Sequence, residues 1–166
     1  MGLRFTSFRT RLRAFQTMHG GSPDPGFVAD LDYLENRDLD LSIRLGGLLA
    51  FNALLVTIGT HPISASPGAP LSLDAPTQPW LVLASIIGII PIIASSWFCL
   101  HALLIGEEFE TDGPADDVLL RQRLFAAFIR SIDAQTLLLR RAIWSSVGGS
   151  TMTLAVWAWI ILSKII

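Results

Sequence analysis

The chain has 166 residues, 51% of them hydrophobic and 16% charged, with a mean hydropathy of +0.53 and a formal net charge of -2. This composition excludes an ordinary water-soluble domain, and the length leaves no room for a large catalytic domain beside the apolar stretches. There is no basic surplus to recruit nucleic acid, and a single cysteine, Cys99, excludes an intrachain disulfide.

The first element is a basic arm over residues 1–26. Phe5, Phe8, Leu12 and Phe15 recur at helical spacing, with Arg4, Arg9, Arg11 and Arg13 between them. The pattern predicts an amphipathic helix lying in the headgroup layer, apolar side down, its arginines drawn to anionic lipid. The arm lacks the long apolar core and small-residue cleavage pattern of a secretory signal, so no cleaved leader is expected. Gly20, Gly21, Pro23, Pro25 and Gly26 break the pattern. A single helical membrane domain is expected over residues 27–166.

Within it, three apolar stretches cover residues 45–60, 80–105 and 142–163. A helix needs about 20 apolar residues to cross the hydrocarbon core, and the second and third meet that length. The first is shorter and spans if its flanking residues reach toward the headgroups. A helix starting near Phe27, with Leu34, Leu41 and Leu45 on one face, is expected to run into the first span without a break. The loop 61–79 contains Pro62, Pro67, Pro70, Pro76 and Pro79 and reads as an extended connection. The acidic run from Glu107 to Pro114 ends the second helix. A further helix beginning near Asp116 and Asp117 is expected to continue through Arg140 and Arg141 into the third span, over about 45 residues. The fold class is therefore all-α: three transmembrane helices, an N-terminal amphipathic helix, and a long cytoplasmic helix continuous with the last span.

Basic residues set the orientation. Arg4, Arg9, Arg11, Arg13, Arg37 and Arg44 precede the first span, and Arg121, Arg123, Arg130, Arg140 and Arg141 lie within residues 106–141. The loop 61–79 has none, and only Lys164 follows the third span. The positive-inside rule puts the N-terminus and residues 106–141 in the cytoplasm, and the loop and C-terminus outside.

No nucleophile–base arrangement, metal-ligand spacing or glycine-rich phosphate loop occurs, so no catalytic or metal residues are assigned, no cofactor is expected, and the chain is read as a non-enzyme. His101, near the cytoplasmic end of the second span, is the one candidate for cofactor ligation. Pro91 in mid-span removes a backbone hydrogen bond and is a candidate hinge. Small and polar residues mark candidate helix-packing positions: Gly46, Gly47 and Asn52 on the first span, and Ser145, Gly148, Gly149 and Thr153 on the third. Small residues let helices approach closely, and an amide hydrogen-bonds between helices. The expected partners are the bilayer and either further copies of this chain or a larger membrane complex.

Residues 40–55, with Asp40, Arg44, Gly46, Gly47 and Asn52, resemble the opening helix of the Pycsar-effector-type transmembrane domain. That helix carries an acid, then a basic residue, small and apolar residues, and an asparagine about a dozen positions on. The family's basic position two after the acid is Ser42 here, with Arg44 standing two residues later. The entry to the final helix, Leu137-Leu138-Leu139-Arg140-Arg141-Ala142, is also similar, and the resemblance extends over residues 30–165. It implies a bacterial antiphage effector whose membrane domain impairs the inner membrane after a cyclic-nucleotide signal. No segment reads as a cyclic-nucleotide-binding domain, so sensing is expected to come from elsewhere. The alternative expectation is an accessory subunit of a respiratory or photosynthetic complex, docked through its small-residue faces and basic arm.

Overall fold

A computed structural model of the chain describes residues 25–66, 68–69, 71–73, 77–105 and 117–165. The amphipathic arm, including Arg4, Phe5, Phe8, Arg9, Arg11, Leu12, Arg13 and Phe15, and the acidic run after the second helix lie outside them. Three helices make up the described chain: α1 (Pro25–Ser64), α2 (Pro79–Leu104) and α3 (Asp117–Ile165). No strand occurs among the described residues, and all three helices are long and apolar enough to cross a membrane. The fold is all-α, and the expected run of a helix beginning near Asp117 through Arg140 and Arg141 into the last span is met by the 49-residue α3.

The boundary that differs from expectation is the end of α1. It runs to Ser64 and takes in His61 and Pro62, which the sequence reading assigned to the loop. A proline in the last turn keeps a helical φ and forfeits one intrahelical bond. Its own carbonyl is then used by the loop: Leu73 donates its N–H to Pro62 O at 2.9 Å, and Pro62 is fully buried. The loop turns at Gly68, whose φ of +89° few side chains tolerate, and is closed by Ala69 N–H to Ser66 O and Ser72 N–H to Ala69 O. α2 opens on Pro79, where a missing donor costs nothing because the first helical N–H groups have no partner inside the helix.

The chain divides into two compact units, residues 1–40 with 106–132, and 41–105 with 133–166. In the first, Arg37 pairs with Asp40 at 3.7 Å, Arg130 donates to Ala126 O, and Phe128 and Ile132 are buried. The second holds the core. On α2 the buried positions are Leu81, Ser85, Gly88, Ile92, Ser95, Cys99 and Ala102, with Ile89 beside them. Their 4-3-4-3 spacing is the seam of left-handed helix packing. Gln135, Leu139, Ala142, Ser146, Gly149 and Thr153 repeat it on α3, and Leu41, Leu45, Asn52, Gly59 and Pro62 fit it on α1. The outer surface carries Phe51, Leu54, Ile86, Ile90, Ile93, Val147 and Leu154, all exposed. Apolar exposure on this scale suits acyl chains, not water.

Aromatic residues mark both ends of this unit. Trp80 and Trp159 meet edge to face at 5.7 Å near the loop, and Trp157 lies 6.5 Å from the His61 ring. Toward the opposite end Trp97 and Trp144 are each 68% exposed. Indoles at both boundaries of an apolar band are the distribution interfacial anchoring produces.

Candidate functional site

The chemistry of the membrane unit is concentrated in one buried polar cluster. Ser146 Oγ donates to Asn52 Oδ1, Asn52 Nδ2 donates to Ser95 Oγ, and Ser95 Oγ donates to Ala142 O, each at 2.7 Å. The donors run one way, from α3 to α1 to α2 and back to α3 one turn from the start. Asn52 and Ser95 are fully buried and Ser146 nearly so. In lipid an amide cannot exchange its partners for water, so the cluster ties the three helices together at one level. Neighbouring bonds in such a chain polarise and strengthen one another. None of its members is a strong base or nucleophile. The arrangement sets register: sliding any helix by one residue breaks at least two of the bonds.

A backbone contact lies beside it. Ser145 Oγ donates to Pro91 O at 2.7 Å. One turn on, Gly149 sits against α2 so closely that a Cβ there would lie 2.5 Å from Ile92 Cγ1, 3.1 Å from Ile92 N and 3.2 Å from Gly88 O. This crossing requires glycine. Thr153, the next residue on that face, stands between the other two helices. Its methyl lies 3.6 Å from the position of a Gly59 Cβ, and its hydroxyl 3.5 Å from that of Gly88.

The structure thus brings together Asn52, Ser145, Gly149 and Thr153 at helix contacts within the chain. It places Gly46, Gly47 and Gly148 elsewhere: all three are exposed, with nothing within 4 Å of an added Cβ. Pro91 lies inside a continuous α2, tied to α3 through its carbonyl. His101 is exposed in the last turn of α2, its carbonyl accepting the Ile105 N–H. Among the described residues no group of three or more His, Cys, Asp or Glu is arranged to hold a metal ion.

Sequence reading missed the contacts made by Ser95, Ser146, Gly59 and Lys164. Ser95 and Ser146 pass for ordinary small residues when a span is scanned for hydropathy. The available signal was their 3.5-residue spacing with Gly88, Cys99, Ala142 and Gly149, which gathers small and polar residues on one seam. Lys164 was counted only for topology. Its Nζ donates to Ala69 O at 2.8 Å and lies 3.5 Å from Ser72 Oγ, clasping the loop to the end of α3.

No family model, curated protein or solved structure matches this chain.

Proposed function

We propose that this chain is a non-enzymatic membrane protein that acts through self-association of its outward helix faces, perturbing the membrane in the manner of the effector domain it resembles. The observation that carries the reading is the split among its glycines. Gly59, Gly88 and Gly149 are used up by contacts inside the protomer, whereas Gly46, Gly47 and Gly148 face outward with open space around them. Gly46 continues into exposed Ala50 and Ala53 on α1, and Gly148 into exposed Thr151 and Ala155 on α3. Small residues at this spacing allow close helix approach, while against acyl chains they gain little packing.

The arginines support an orientation with the N-terminus and residues 106–141 in the cytoplasm and the loop and C-terminus outside, and the resemblance implies a bacterial inner membrane. The Lys164 clasp supports the placing of loop and C-terminus together, because it holds the loop and the end of α3 on one side.

Extraction from native membranes in mild detergent, with sizing and mass spectrometry, tests the proposal. The expected result is a homo-oligomer that dissociates in G148L or in G46L/G47L, together with a fall in membrane potential when the chains are clustered by force. A defined assembly with one stoichiometric partner replaces this reading with the accessory-subunit one. A monomer insensitive to these substitutions overturns both.

A further inference from the structure

Each membrane helix carries its own pair of boundary residues. On α2, exposed Trp80 and Trp97 stand 17 residues apart, and on α3, exposed Trp144 and Trp159 stand 15 apart. On α1, exposed Arg44 and His61 stand 17 apart, with no ionisable side chain between them. At a rise of 1.5 Å per residue these intervals are about 26, 23 and 26 Å long. Cβ atoms of a helix tilt toward its N-terminus, so both indoles of one helix are displaced the same way and the tilt leaves their separation unchanged.

Contacts between the helices set these boundaries at common levels. At the loop end, the Trp80 ring meets that of Trp159 at 5.7 Å, and the His61 ring lies 6.5 Å from Trp157. Toward the other end, Asn52 binds Ser95 and Ser146, and Trp97 and Trp144 each stand two residues beyond those serines, away from the loop. Ionisable groups follow directly: exposed Arg141 lies three residues before Trp144, and exposed His101 four after Trp97.

Indoles settle at the headgroup level, at the edges of the hydrocarbon core. A typical core is about 30 Å thick, so the band between these indoles is about 4–7 Å short. Helix tilt does not recover the difference, because it only shortens the projection on the membrane normal. Sliding one helix does not recover it either, because the Asn52 hydrogen bonds hold the three in register. Arg44, Arg140 and Arg141 have long stems that reach outward to water. An indole has no such stem.

We propose that the outer surface of this chain fits a thin bilayer, and that in a bilayer of ordinary thickness the chain draws the adjoining lipid in toward its own indole-to-indole span. The partner selected is phospholipid with short acyl chains. Thinning of the bilayer is one of the ways a short hydrophobic span is accommodated. The inference rests on the helices spanning a bilayer and not on self-association.

The test uses the exposed tryptophans as reporters. The full chain is reconstituted at a low ratio of protein to lipid into vesicles that mix brominated dioleoyl phosphatidylcholine, which quenches indole fluorescence on contact, with unbrominated dimyristoleoyl, dioleoyl or dierucoyl phosphatidylcholine. The recovery of fluorescence gives the relative affinity of the protein surface for each lipid. The expected order is dimyristoleoyl, then dioleoyl, then dierucoyl, with a several-fold fall across the series. An affinity that peaks at dioleoyl or dierucoyl, or that does not vary with chain length, overturns the proposal. Sizing reads self-association separately, so a monomer with the expected lipid order upholds this inference while overturning the association reading.

Discussion

Gly149 and Ile92 meet at the tightest point of the α2–α3 crossing: a Cβ on Gly149 would lie 2.5 Å from Ile92 Cγ1 and 3.1 Å from its backbone nitrogen. A flexible side-chain tip moves out of the way cheaply, but a backbone nitrogen moves only with its helix. G149A is therefore expected to force the helices apart and to destabilise the protomer by about 1–3 kcal/mol, the usual range for overpacking. G148A, one residue away and facing open space, is expected to leave protomer stability unchanged. Reversible unfolding in mixed micelles compares the two, and equal effects would refute the placement of Gly149.

Asn52 and Ser146 are expected to be energetically coupled. N52L leaves the Ser146 hydroxyl without its acceptor, and S146A leaves Asn52 Oδ1 without its donor. Each change is expected to cost about 0.6–2 kcal/mol, the range for interhelical hydrogen bonds in membranes. The double variant should cost less than the sum, because the second change removes a group already orphaned by the first. A double-mutant cycle with no coupling would mean that the Asn52–Ser146 bond contributes nothing to the fold.

K164A is expected to release the loop at Ala69 and Ser72 while changing stability by about 0–1 kcal/mol, since the ammonium is exposed and solvated. The readout is limited proteolysis of sealed vesicles from the loop side, where cleavage within residues 65–78 should accelerate several-fold. Unchanged cleavage would show that the clasp does not restrain the loop.

Cys99 is fully buried in the α2 seam. Membrane-permeant N-ethylmaleimide should leave it unmodified in the folded protein and label it after denaturation, as read by intact mass. Labelling in the native state would contradict the packing of α2 between the other helices.

Pro91 sits at the α2–α3 crossing. The Ser145 bond to its carbonyl and the Gly149 contact at Ile92 flank it, so any bending there has to separate α2 from α3.

Hydropathy and length were enough to determine three helices. α2 was expected over residues 80–105 and is Pro79–Leu104, and the run through Arg140 and Arg141 into the last span was expected because nothing in it breaks a helix. These are properties of local composition, because a lipid-spanning segment must satisfy its backbone within itself. The sequence also singled out Asn52, Gly149 and Thr153, since amides, glycines and threonines are conspicuous in an apolar run. It did not show which glycines point inward. Gly148 and Gly149 are chain neighbours of identical chemistry, yet 100° of helical rotation puts one against Ile92 and the other in the open. Nor did it pair Asn52 with Ser95 and Ser146, 43 and 94 residues away. Those choices depend on how three helices rotate and slide against one another. Only the tertiary packing decides that, because each helix alone satisfies its backbone equally well at every rotation.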